Sequence, residues 1–122
     1  MLKHLVPSVK GVTDDIAQPG RTELGYTRTP LKAVDALRKG WATTRRDLAL
    51  VRAPMLLLHS RVDHVVEPEN SRLILDSVSA DDVTEIVLER SFHVATLDFD
   101  AESIFDESVA FIRRIANRQS AA

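Results

Sequence analysis

The chain has 122 residues and a mass of 13.6 kDa, room for one domain at most. Hydrophobic residues at 44% and charged residues at 28% match an ordinary globular protein, which excludes a disordered chain, a collagen and a small disulfide scaffold. Sixteen Lys+Arg against 18 Asp+Glu give a net charge of −2. No basic excess is left to gather nucleic-acid phosphates or an anionic membrane surface. The absence of cysteine removes disulfides, thiolate nucleophiles and Cys-based zinc sites together. Apolar runs such as Met55–Leu58 fall far short of the ~20 residues of a membrane span. Met1-Leu2-Lys3-His4 followed by Val6-Pro7-Ser8 lacks a signal-peptide hydrophobic region, so the expected location is cytoplasmic.

The first thirty residues carry Pro7, Gly11, Pro19, Gly20, Gly25 and Pro30, a spacing that predicts irregular connection with at most a turn of helix. Leu31, Val34, Leu37, Trp41 and Leu48 then recur at helical intervals, with Thr29 as the expected N-cap and Pro30 at the first helical position. Gly40 marks a place where that helix could break.

Ala53-Pro54 closes the helical stretch. Met55-Leu56-Leu57-Leu58-His59 is apolar on consecutive residues, as a strand covered on both faces of a parallel sheet would be. Pro68 opens a second helix with Leu73, Ile74 and Val78 on its apolar side, and Asp81-Asp82 turns into a second strand at 83–88. Asp100 is the expected cap of a last helix that buries Ile104, Phe105, Val109, Ile112 and Ile115. Strand, helix, strand, helix in this order predicts a right-handed βαβ unit with a closing helix.

Functional residues in open parallel sheets collect at the carboxyl ends of strands. His59-Ser60-Arg61-Val62-Asp63-His64-Val65-Val66 follows the first strand, and Glu89-Arg90-Ser91-Phe92-His93-Val94 follows the second. Adjacent parallel strands would bring Asp63 and His93 to one edge, where a carboxylate can fix the tautomer of an imidazole and stabilise its charged form. Each has a plainer reading: Asp63 as a turn aspartate, His93 as a histidine satisfied by a backbone carbonyl. A metal site among His59, Asp63, His64 and Glu67 is disfavoured, because adjacent residues should point apart and no cysteine helps. His64 reads as a surface residue or a support for the pair. Arg45-Arg46 and Arg113-Arg114 read as solvated helix faces, and Phe92, Phe99, Phe105 and Phe111 as core and pocket lining.

Ser60-Arg61-Val62-Asp63-His64-Val65-Val66 and Ser91-Phe92-His93-Val94-Ala95-Thr96-Leu97-Asp98 resemble the acid and histidine motifs of bacterial carboxylesterases and monoacylglycerol lipases of the α/β-hydrolase family. Glu23-Leu24-Gly25-Tyr26-Thr27-Arg28-Thr29-Pro30-Leu31 is similar to the segment where that family's small cap rejoins the core. The resemblance implies an α/β fold class, the C-terminal part of an α/β-hydrolase fold: two parallel strands alternating with helices plus a cap-derived N-terminal segment. Residues 1–29 would be cap-derived, 30–118 the core part and 119–122 a tail. Asp63 would be the triad acid, His93 the general base, and Glu23 a polar contact for the alcohol portion of an ester, although a solvated glutamate explains Glu23 more simply.

The family's nucleophile sits in a Gly-x-Ser-x-Gly elbow ahead of the cap, and none of the nine serines here lies in such a setting. The chain is therefore expected to carry the acid and base of a serine ester hydrolase without its serine, and to be inactive alone. Its substrate would be a small ester or acylglycerol, with no cofactor, no nucleic-acid partner and no stable membrane insertion. The alternative is a non-catalytic domain that binds or completes another chain. In either case the unpaired edge of strand 55–59 could support self-association.

Overall fold

The computed structural model describes residues 7–120; the leader reading at 1–6 and the last two residues of the expected tail lie outside them. Two short strands open the described chain, β1 (Ser8–Lys10) and β2 (Arg28–Pro30), paired antiparallel with Val9 opposite Thr29. The expected irregular segment is thus a closed loop rather than a free connection. A Cβ at Gly11 would lie 2.4 Å from the Tyr26 carbonyl oxygen, so only glycine lets the Gly11 N–H reach Thr27 O at 2.9 Å. Arg28 secures the other end, donating from Nε to Ser8 Oγ at 2.7 Å and from Nη2 to Ser8 O at 2.9 Å.

Helix α1 (Leu31–Asp47) follows β2 directly, with Pro30 rather than Thr29 at the N-cap. Pro30 is the last extended residue, φ −66° and ψ 126°, which shifts the start by one position. The helix runs through Gly40 unbroken; a single glycine costs only about 1 kcal/mol. Arg45 and Arg46 occupy its last turn, where cations complement the helix dipole. A 3₁₀ turn at Leu48–Leu50 leads towards β3 (Met55–Ser60).

Strand β3 pairs parallel with β4 (Val83–Leu88) from Met55↔Val83 to Ser60↔Leu88. Helix α2 (Glu69–Ser77) connects them, and α3 (Ala101–Ser120) closes the chain, running past the boundary expected at 118. The two strands end level, so the loops leaving Ser60 and Leu88 emerge from one edge of the sheet. Among the described residues the other edge of β3 has no strand beside it.

Burial is shallow. Leu88 and Ile104 are the buried apolar side chains, alongside the buried polar residues Ser60, Ser91 and Asp98. Of the expected inward face of α3, Phe105, Val109 and Ile112 are instead exposed, as are Leu37 and Trp41 on α1. Periodicity reports which face of a helix is apolar; what covers that face is a separate matter. The accessible surface is 9222 Å², against about 6,600 Å² for a compact monomer of this mass. Arg114 corrects another expectation: with Arg118 it grips Asp82, its Nη1 2.6 Å and Nη2 3.0 Å from the carboxylate, and so ties α3 to the start of β4.

The buried polar groups hold the loops. Asp98 accepts backbone N–H groups from Ala17 (2.7 Å) and Phe92 (2.9 Å) on Oδ2, and from Gln18 (2.9 Å) and Phe99 (2.8 Å) on Oδ1. Asp100 does not cap α3 with its carboxylate as expected. Its Oδ2 instead accepts the Arg90 N–H at 3.0 Å and the Ser91 hydroxyl at 2.8 Å. Burial raises the Asp98 carboxyl, but its four N–H donors outweigh that and leave it below the ordinary aspartate value.

Asp98→Ala would strip four part-buried N–H···O bonds of their acceptor and should lower unfolding stability by about 3 kcal/mol, measured by urea denaturation. Because the folded-state value is depressed, this contribution is present above pH 3.8 and is lost as pH falls below it.

Candidate active site

The sheet edge at Ser60 and Leu88 carries both motif loops. In the first, Asp63 Oδ1 accepts the N–H groups of Val65 at 2.8 Å and Val66 at 2.7 Å, an Asx-type turn that fixes the carboxylate. Its second oxygen, Oδ2, lies 2.9 Å from His93 Nδ1. Of the plainer readings, that of Asp63 holds in part, since it organises its turn but spends its other oxygen on the imidazole; the His93 ring meets this carboxylate and not a backbone carbonyl. The Asp63 side chain is 14% exposed and that of His93 is 39%. A carboxylate that accepts at Nδ1 places the proton on that nitrogen and leaves Nε2 as a lone-pair acceptor. Burial raises the Asp63 carboxyl, yet the N–H groups of Val66 and Val65 and the His93 ring together hold it below the ordinary value.

The His93 loop has no sheet ladder to satisfy it, and side chains do so instead. Ser60 Oγ donates to Phe92 O at 2.7 Å. The Phe92 N–H goes to Asp98, that of His93 goes to Asp15 Oδ2 at 3.1 Å, and that of Val94 goes to Asp15 O at 3.1 Å. His64 pairs with Asp15, Nδ1 to Oδ1 at 2.7 Å, and its ring stands edge-on to Phe92 at 4.6 Å.

An open cleft of about 530 Å³ lies beside the pair, lined by apolar residues such as Leu58, Val66 and Leu88 together with Asp63, His93 and Glu23. Glu23 is brought there by Asp14, φ 61°. The Asp14 N–H donates to Glu23 Oε1 at 3.1 Å, and the Glu23 N–H donates to Asp14 Oδ1 at 2.9 Å. None of the four phenylalanines lines the cleft. Of the residues weighed as metal ligands, His59, Asp63 and Glu67 line the cleft, but His59 Nε2 meets Glu85 at 2.9 Å, and His64 and Asp63 turn to the partners named above. The sequence reading missed Asp15 and gave Asp98 no role, although Asp98 closes the histidine motif. No local signal marks Asp15, whose partners lie 49 and 78 residues away.

A family profile described as serine aminopeptidase, S33, matches residues 12–100, which contain both loops and the Asp14–Glu23 segment. The chain belongs to that family. The chain is 33% identical over 105 residues to the thermostable monoacylglycerol lipase of Bacillus sp. (strain H-257), covering 86% of this chain and 42% of the relative. It is 26% identical over 90 residues to a carboxylesterase of Bacillus subtilis (strain 168), covering 74% and 37%. A solved structure from work on the metagenome-derived lipolytic enzymes LipS and LipT superposes with a TM-score of 0.86 at 39% identity, covering 89% of this chain and 44% of that one. The monoacylglycerol lipase of Paleococcus ferrophilus shares the fold at a TM-score of 0.60, with 21% identity over 70% of this chain and 34% of its own. The chain therefore has part of the α/β-hydrolase fold of lipolytic enzymes and spans less than half the length of these relatives.

Lowering pH should dismantle the Asp63 turn only late. The depressed carboxyl keeps its contacts above pH 3.8 and loses them as pH falls below that value. Amide shifts of Val65 and Val66 followed by NMR should titrate with a midpoint below 3.8; a midpoint at or above it contradicts the assignment.

Proposed function

We propose that this chain supplies the acid and the general base of a serine carboxylic-ester hydrolase. The observation that carries this reading is the 2.9 Å bond from His93 Nδ1 to Asp63 Oδ2, made between loops that leave two adjacent parallel strands. Asp63 holds the His93 tautomer, so that Nε2 takes the proton of a serine hydroxyl as its oxygen attacks the ester carbonyl. The same imidazolium then gives that proton to the departing alcohol, and water resolves the acyl-enzyme by the reverse proton traffic. The serine belongs to a segment outside these 122 residues, since no Gly-x-Ser-x-Gly occurs in them. Without that serine the pair has no elbow nucleophile to activate, and the chain alone is inactive.

The substrate is an ester of a short to medium acyl chain and a small alcohol such as glycerol. The names of the relatives support this class, as does an apolar cleft carrying a carboxylate, Glu23, for alcohol hydroxyls. Segment 7–29, closed by β1 and β2, forms part of the acyl-binding wall.

A second reading, a non-catalytic domain that docks through the unpaired edge of β3, draws on that edge and on the exposed faces of α1 and α3. Size-exclusion chromatography separates the two: a stable monomer with one cooperative thermal transition favours an independent domain, and an oligomeric or molten chain favours a part that needs its complement.

The chain alone should neither hydrolyse p-nitrophenyl butyrate nor react with a fluorophosphonate probe. Mixed with an N-terminal hydrolase segment carrying the serine elbow, it should confer esterase activity, and His93→Ala should reduce that activity by about 10⁴-fold or more. Labelling of any serine in this chain, or a preference for aminoacyl anilides over esters, overturns the proposal.

A further inference from the structure

Two aspartates stand side by side after Gly11 and face different partners. Asp14 sets Glu23 at the cleft. Asp15, whose side chain is 12% exposed, turns to the two motif loops. Its Oδ2 accepts the N–H of His64 at 3.2 Å and the N–H of His93 at 3.1 Å. Its Oδ1 lies 2.7 Å from His64 Nδ1, and its backbone carbonyl accepts the N–H of Val94.

One carboxylate therefore grips the residue that follows Asp63 and His93 itself. Three donors converge on it, two amides and a ring nitrogen. A carboxylate, acceptor-only with about four lone-pair sites, can take all three, which a hydroxyl cannot. The 2.9 Å bond between Asp63 and His93 joins two loops that lie beyond the ends of their strands. Such a bond weakens once the loops shift by a few tenths of an ångström. Asp15 removes that freedom, because its shared Oδ2 fixes the spacing of the two backbones. Burial raises the Asp15 carboxyl, but the His64 ring and the His93 and His64 amides outweigh it and keep it ionised for this task.

We propose that Asp15 is a positioning residue for the Asp63–His93 pair, clamping the acid loop and the base loop in register through the amides of His64 and His93. The role rests on the hydrolase reading above. It also places cleft wall and base on one segment, since Asp14 and Asp15 hold Glu23 and His93 from adjacent positions.

The test uses the ¹⁵N-labelled 122-residue chain. Its readouts are the downfield His93 Nδ1 proton that reports the bond to Asp63, and the amide exchange rates of His64 and His93. Asp15→Ala should lose that proton and speed both amides by about tenfold or more, while Ala17 and Gln18, held by Asp98, stay protected. Asp15→Glu keeps the charge but displaces the carboxylate by one methylene, and should behave in the same way. His64→Ala removes the ring contact but leaves both amide clamps, and should keep the His93 proton. A merely structural aspartate would instead lose protection uniformly at Ala17, Gln18, His64 and His93. Should Asp15→Ala unfold the sheet, Asp15→Glu decides by the same signals. Retention of the proton with unchanged exchange in Asp15→Ala or Asp15→Glu overturns the inference. A wild-type chain without the proton counts against the Asp63–His93 reading instead, and the clamp is then judged on amide exchange alone.

Discussion

Every backbone N–H withdrawn from water needs an acceptor, and a loop beyond the end of a strand has no ladder to provide one. In this protein that constraint falls on the stretch from Arg90 to Val94, and three aspartates meet it. Asp100 takes the N–H of Arg90, Asp98 that of Phe92, and Asp15 those of His93 and Val94, the last through its own carbonyl. Ser60, at the end of β3, holds the Phe92 carbonyl from beneath. The direction of the His93 ring follows from these bonds. Because Asp98 also holds Ala17 and Gln18, the same carboxylates fasten the N-terminal segment to the sheet. That segment in turn carries Glu23 to the cleft.

Polar anchoring of this kind matters more here than in a typical domain, because apolar burial contributes little. Two apolar side chains are buried among the described residues, while Trp41, Phe105 and Ile112 stand more than half exposed. Helices α1 and α3 present apolar stripes that the described residues leave uncovered. The chain spans 42% of the monoacylglycerol lipase it resembles and 44% of the lipolytic structure on which it superposes. Even so, the Asp63 and His93 loops reach hydrogen-bonding distance. They need only the parallel pairing of β3 with β4 and the aspartate network, and both lie within the chain.

The strands and the Asp63–His93 pair were legible in the sequence for local reasons. Met55–Leu58 is apolar on consecutive residues, and each motif follows its strand directly, so parallel pairing puts Asp63 and His93 at one end of the sheet. The short strands β1 and β2 were not legible. Three residues each, separated by 17 residues, they leave no periodicity, and their pairing depends on the close approach at Gly11. Of the apolar face of α3 expected to be buried, Ile104 is covered, whereas Phe105, Val109 and Ile112 are exposed. Arg114 was read as solvated, yet it binds Asp82, 32 residues away.

The sequence by itself determined the order of elements, the two loop motifs and the absence of a Gly-x-Ser-x-Gly elbow, because each is a matter of residue type at short spacing. The tertiary structure decided that the loops meet at 2.9 Å, that Asp15 and Asp98 hold them, and that Glu23 shares their cleft. The reason is physical. A hydrogen bond depends on a few tenths of an ångström between groups dozens of residues apart, a separation that only the folded backbone can set.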